Sequence, residues 1–381
     1  MRPWVLEQVG WVTPTGMARG AVALDGGRVL AVGQRLRVPQ ARRVDLAGAQ
    51  LLPGLWDLHL HGAAGVDLAQ ASPEEVARLG RHLRRRGVTG FLASLPPLPQ
   101  ERLVAALERL AAVGPATCTE FLGIHLEGPF LNPRRAGALD PAAMRPPRSG
   151  LLTAWQRAAQ GRIRMLTLAP EMAGAAAAVA EAHQLGMVVA LGHSDADHDQ
   201  ARAGIAAGIR YATHFPNALA PWHHRRPGAV GAVLADPRVT LECIFDGIHL
   251  HPATEELLVA LRGRERLVVV SDALPGAGRG VGVFPWGGRE VHFGGGAARL
   301  GDGRLAGGGT TLDRIAERLL ARFGPEAVAA WTRHHPAALL GAPPWRLAPG
   351  EAADFAVWDG TRLWGWEEFA RRLPELEAEA P

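Results

Sequence analysis

The chain has 381 residues and a net charge of +4, and its 41 basic side chains are all arginine. Without lysine there is no Schiff-base catalysis, no pyridoxal phosphate attachment, no Walker-type phosphate loop and no metal bridge built on a carboxylated lysine. A hydrophobic share of 48% with 20% charged residues fits a globular protein, and no apolar stretch reaches the roughly 20 residues of a membrane span. The opening MRPWVLEQVGW lacks the basic-then-apolar pattern of a secretory signal, so a cytoplasmic location is expected, with no membrane partner. A nucleic-acid partner would need a clustered basic stripe. The nearest run, residues 84–86, reads instead as a solvated helix end. Cys118 and Cys243 sit in apolar segments and read as buried free thiols.

Residues 1–50 read as short strands with turns at 13–16, 25–27 and 47–48. The tail GEAADFAVWDG has the same character, so a small β domain built from 1–50 and 342–381 is expected to flank a larger domain over 51–341. That larger domain opens with LLPGLWDLHLHG. On a β-strand the i, i+2 spacing puts His59 and His61 on one face, about 7 Å apart along the chain. Two such imidazoles at a strand end can share a metal ion, although an isolated pair reads more simply as a polar tip facing water. Apolar runs then recur at 88–96, 121–129, 163–170, 187–193, 209–214, 239–246 and 267–272. Between most of them lie stretches of helical period, such as PEEVARLGRHLRRRG and PQERLVAALERLAAVG, with Pro near the start and Gly at the end. Eight β/α alternations predict a closed parallel barrel, with chemistry at the C-terminal strand ends. An open doubly wound sheet is the alternative, but no GxGxxG follows an early strand. The Gly-rich interval 276–309 reads as turns and a hairpin whose last part, LAGGGTT, could line the barrel mouth. The final ELEAEAP reads as a frayed end.

The strand ends hold the chemistry. The first carries His59 and His61, the third His125 and Glu127, the fifth His193, the sixth His214, the seventh Asp246 and His249, and the eighth Asp272. Chance placement would scatter such residues over helix surfaces and loops. Their clustering points to a metal site rather than to a set of satisfied core histidines. His125 lies one layer deeper than Glu127 and reads as a structural or supporting histidine.

The segments PGLWDLHLHG, GIHLEGPFLNPRRAGA, LGHSDAD, THFPNALAPWHHRRPG, DGIHL, VSDALPGAG and LAPGEAADFAVWD together, in order and spacing, resemble the N-acetylglucosamine-6-phosphate deacetylases of the amidohydrolase superfamily. The resemblance covers nearly the whole chain. It implies a distorted (β/α)8 TIM-type barrel with a small flanking β-sandwich, one or two divalent metals (zinc first, otherwise iron, manganese or cobalt) and a homodimer. It also implies removal of acetate from an amino sugar 6-phosphate. Carried over by position, Glu127, His193 and His214 hold the main metal, and His59 and His61 match the second metal position of binuclear members. Asp272 matches the general acid/base, His249 a substrate-contacting histidine, and Arg225 a phosphate-contacting arginine that reaches across a dimer interface. Asn217 and Ala218 match a loop that touches sugar or phosphate. Two positions depart from the family pattern: Leu139 stands where members usually carry His or Gln, and Arg226 where they often carry Glu.

The implied chemistry is amide hydrolysis by metal-activated water, with Asp272 as general base and then general acid. Two other readings stand beside it. One is a deaminase or deacylase of the same superfamily acting on an unphosphorylated substrate. The other is a non-catalytic barrel serving as a binding module.

Overall fold

The computed structural model describes residues 2–378 except 14, 15, 116, 119 and 264. The chain divides into two compact units, Met1–Trp56 with Gly80–Gly90 and Leu312–Pro381, and Asp57–Leu79 with Phe91–Thr311.

In the first unit, Trp4–Thr13, Gly16–Asp25 and Arg28–Gly33 form an antiparallel run joined in one seven-stranded sheet to Arg42–Asp45, Gln50–Pro53, Phe355–Trp358 and Leu363–Gly365. Both chain ends therefore contribute, since Phe355–Trp358 pairs antiparallel with Gln50–Pro53. Alternation along the strands sends Leu6, Val22 and Leu24 to one core with Phe355 and Trp366, and Val5, Ala21 and Ala23 to another, as a period of two requires. The turn at 25–27 is a two-residue hairpin: Gly26 and Gly27 both have positive φ, the geometry that matches the twist of the flanking strands. The turn at 13–16 falls partly outside the described residues. Of the expected frayed end, 375–378 belongs to the helix Leu373–Ala378, whose buried Leu373 anchors it; the rest lies outside the described residues.

All eight predicted barrel strands are present: Leu55–Leu60, Val88–Leu95, Phe121–Glu127, Ile163–Leu168, Val188–Leu191, Tyr211–Ala212, Thr240–Cys243 and Leu267–Val269. They form one sheet in sequence order, and a parallel bridge from Leu60 to Ala273 carries the last strand end back to the first. The runs lack alternation because helices cover their outer faces and packed side chains their inner ones, so Val88–Leu95 is buried throughout. The sixth strand is only two residues long, because the chain leaves the ladder before His214. Helices follow with the expected spacing. Gln100–Ala111 buries Leu103, Ala106, Leu107 and Leu110 on one stripe, and His198–Ala207 starts on a capping box between Asp197 and Gln200.

The Gly-rich interval holds more order than turns and one hairpin. Gly282–Trp286, Arg289–Gly294, Ala297–Leu300 and Leu305–Gly308 make a four-stranded antiparallel meander. Its apolar side packs Trp286, Phe293 and Leu300 with Leu131, Leu139 and Leu274. Gly308 lies against the eighth strand end, where a Cβ would stand 2.1 Å from the Ser271 carbonyl oxygen. The GGG run is needed there because two backbones touch. No helix among the described residues is long and apolar enough to cross a membrane.

Candidate metal centre and substrate pocket

Burial and backbone geometry at the strand ends create the site. His193, His214 and Asp272 have φ of 46°, 31° and 49°, left-handed values that non-glycine residues adopt only when their surroundings hold them there. Each such kink turns a side chain from the sheet wall toward the barrel axis.

Two groups of three donors result, His59, His61 and Asp272, and Glu127, His193 and His214, all buried. In the second group Glu127 Oε1 lies 3.0 Å from His193 Nε2 and 3.1 Å from His214 Nε2, with 3.0 Å between the two imidazoles. In the first, His59 Nε2 lies 3.2 Å from His61 Nε2, and Asp272 Oδ1 stands 3.5 and 3.3 Å from them. Glu127 joins the groups, its Oε2 being 3.3 Å from His61 Nε2. Ligands about 2.0–2.1 Å from a tetrahedral ion lie about 3.3 Å from one another, so these spacings suit divalent cations.

The hydrogen bonds on the far side of the rings support the same conclusion. His193 Nδ1 lies 2.8 Å from the Arg135 carbonyl oxygen and His61 Nδ1 3.0 Å from that of Ser94. A carbonyl only accepts, so Nδ1 carries the proton in both. His59 Nδ1 donates to Glu242 at 2.8 Å. In the neutral rings the Nε2 atoms therefore present lone pairs, facing two carboxylates, with Glu127 Oε2 buried and without a hydrogen-bond partner. Lone pairs and anions meeting without hydrogens are a donor set for a cation.

In the chain alone, protons partly compensate. Burial pulls His59 down, but the charges of Glu242, Asp272 and Glu127 outweigh it and push the ring up to about 10. His61 rises to about 9 against its own burial, through the carboxylates of Asp272 and Glu127 that face its Nε2. Burial would raise Glu127, but His59 and the bonds from His193 and His214 hold it well below the usual carboxylate range. Asp272 is lowered likewise, His59 and His61 overcoming its burial.

His125 belongs to neither donor group. Its Nδ1 meets Ser94 Oγ at 3.0 Å and its Nε2 meets Thr167 Oγ1 at 2.7 Å, a polar layer beneath the centre. Burial, then the cationic His59, hold it well below its ordinary value.

A cavity of about 160 Å³ opens above the donors. Asn217, Ala218 and His249 line it with His61, Glu127, His193, His214 and Asp272. His249 is oriented by Asp246, Nδ1 to Oδ2 at 2.8 Å. Leu139, Ile244, Trp286 and Leu305 form an apolar wall, and Trp286 meets His61 edge-on at 5.1 Å between centroids. Within one chain the structure does not bring Arg225 to this cavity. Arg225 is exposed, donates to His224 Nε2 at 2.9 Å, and lines a separate cavity of about 550 Å³ with Arg135 and Arg226. The sequence reading passed over Trp286, whose place depends on the meander, and two buried carboxylates, Asp57 and Glu242. Asp57 accepts from Ser271 Oγ at 2.5 Å and from the Ser271 and His59 backbone, and burial, offset by those bonds, raises it to about 7. A lone Glu inside the apolar run TLECIF was the available signal for Glu242.

Barrel and paired donor groups together place the chain in a class, the amidohydrolases, and residues 50–379 match the model of the Amidohydrolase family. The chain is 36% identical over 313 residues to N-acetylglucosamine-6-phosphate deacetylase of Bacillus subtilis (strain 168), covering 80% of this chain and 78% of that protein. It is 35% identical over 317 residues to N-acetylgalactosamine-6-phosphate deacetylase of Escherichia coli O157:H7, covering 81% and 83%. A solved structure of a mutant Mycobacterium smegmatis N-acetyl-D-glucosamine-6-phosphate deacetylase in complex with N-acetyl-D-glucosamine-6-phosphate superposes with a TM-score of 0.87 at 35% identity, over 95% of this chain and 96% of that one. This chain belongs to the N-acetylglucosamine-6-phosphate deacetylase family.

Proposed function

We propose that the protein hydrolyses the N-acetyl group of N-acetylglucosamine 6-phosphate to glucosamine 6-phosphate and acetate. The two donor groups, five of whose six members line one cavity, in a chain of this family, carry the reading. Glu127, His193 and His214 would hold the main divalent ion, and His59 and His61, beside Asp272, a second. Imidazole and carboxylate donors suit zinc first, with iron, manganese and cobalt as alternatives. A bound divalent ion supplies a water acidic enough to attack at neutral pH and polarises the acetyl carbonyl.

The chain's own residues do the rest. Asp272, an ionised carboxylate at the cavity floor, takes the proton of the attacking water and returns it to the departing nitrogen. His249, held by Asp246, presents Nε2 to the sugar, and Asn217 with the Ala218 backbone orients it. The Leu139 and Trp286 wall gives the acetyl methyl a dry surface, and with an apolar residue at 139 no side chain there polarises the carbonyl. Arg225 recognises the phosphate by a bidentate, charge-assisted contact. In this reading it reaches the neighbouring subunit's site in a homodimer, and Arg226 adds positive charge beside it. The barrel domain, 51–341, carries the chemistry, and the reaction takes place in the cytoplasm.

The test is acetate release from N-acetylglucosamine 6-phosphate beside the unphosphorylated sugar, with metal content measured on the same preparation. Release from the phosphate alone, with one or two ions per chain, is expected. Release from neither by metal-replete protein overturns the reading. Arg225→Ala should raise KM more than tenfold, about 1.4 kcal/mol or more; an unchanged KM favours a deacylase or deaminase of an unphosphorylated substrate. The Escherichia coli relative makes N-acetylgalactosamine 6-phosphate the second substrate to assay.

A further inference from the structure

Glu242 stands at the centre of the seventh strand, Thr240–Cys243, and is fully buried. A carboxylate away from water costs several kcal/mol unless its surroundings compensate it. The proposed reaction gives Glu242 no step. Its contacts explain why it is there.

One oxygen, Oε1, accepts two hydrogen bonds. His59 Nδ1 donates at 2.8 Å and the His214 backbone N–H at 2.9 Å. The first makes Nδ1 the protonated nitrogen of neutral His59 and turns its Nε2 lone pair toward His61, Asp272 and Glu127. The second holds the chain at the residue whose φ is 31°. That strained turn aims His214 Nε2 at His193 and Glu127, 3.0 and 3.1 Å away. The Glu242 backbone carbonyl adds a third bond, accepting from Phe215 N–H at 2.6 Å. His59 belongs to one donor group and His214 to the other, so a single oxygen touches both.

We propose that Glu242 is a positioning residue shared by the two metal positions, orienting His59 through its ring and His214 through its backbone, so that losing it weakens both. The inference rests on the two-group metal reading. Supporting partners of metal-binding histidines typically contribute 10- to 100-fold in affinity, and here one group acts on two positions.

The experiment strips the full chain with chelator, titrates it with zinc or cobalt, and resolves the binding steps by calorimetry and by the cobalt ligand-field spectrum. His59→Ala should remove one step and leave the other. Glu242→Met, which fills the space without an acceptor, should weaken both by 10-fold or more. Glu242→Gln keeps an acceptor at the same place and should recover most of the affinity, a rescue that a merely space-filling role would not give. Circular dichroism of the stripped variants identifies any that fail to fold, and Glu242→Gln then carries the comparison: retention of both steps is expected, and loss of only the His59 step overturns the proposal. A Glu242→Met chain that is folded and loses only the His59 step also overturns it, as does one that binds both ions normally. A wild-type chain that takes up no ion overturns the metal reading itself, which a failed Glu242 variant alone does not.

Discussion

The two donor groups are built differently. Glu127, His193 and His214 come from the third, fifth and sixth strand ends, both histidines on kinked backbone, and His193 is oriented by a neutral backbone carbonyl. His59, His61 and Asp272 come from the first and eighth strand ends where the barrel closes, and His59 is oriented by the charged Glu242. Charge behind a ring makes it a better donor and a better base at once. The His59 set therefore holds protons tightly when no ion competes, so ion binding there is expected to depend on pH.

The largest effect should come from Glu127→Ala, because Glu127 approaches histidines of both groups. Turnover should fall below detection and both binding steps should be lost in metal titration; one surviving step would show that the groups are more independent than their geometry. Asp272→Asn should lower kcat by about 10² to 10⁴, the range of general acid/base loss, while the ion held by Glu127, His193 and His214 stays bound. Normal turnover in this variant would remove Asp272 from the mechanism. His59→Ala sharpens the comparison further: metal content should fall by one ion per chain while a His193→Ala chain loses the other. An unchanged content would mean that His59 is no ligand.

The smallest effect is a slope. His59 and His61, raised to about 10 and about 9 from an ordinary 6.5, carry protons in the metal-free chain at pH 7, and an ion must displace them. Apparent affinity at this set should rise from pH 7 to 9, up to about tenfold per unit for each proton released. Calorimetry in buffers of different ionisation enthalpy counts those protons. The linkage in the metal-free chain runs the other way. Because the folded pKa of His59 lies above its unfolded value, its contribution to stability is complete below pH 6.5 and is lost as pH rises toward 10. Chelator-treated protein should accordingly show a Tm that declines over that interval.

Much of this was legible before any coordinates. Strand count, helix positions and the location of every donor at a strand end follow from period, Gly/Pro punctuation and the position of each polar residue after an apolar run. These are local properties, read within a dozen residues. The sequence reading of Gly276 to Gly309 stopped at turns and a hairpin because the meander is stabilised by Leu131, Leu139 and Leu274 from distant segments. Glu242 was invisible as a partner because its role needs His59, 183 residues earlier, and the backbone of His214. Arg225 shows the opposite limit. Its motif position matched the family, and yet its own chain leaves it in a different cavity from the donors.

By itself, the sequence determined the fold class and the donor types, because composition and periodicity are properties of neighbouring residues, and it pointed to the family through the resemblance of its motifs in order and spacing. Only the tertiary structure decided that Asp272 groups with His59 and His61, which ring nitrogen each of these histidines turns inward, and which buried carboxylate touches both groups. Those depend on distances of about 3 Å between strands far apart in the chain, set by barrel closure and by backbone kinks that no local pattern encodes.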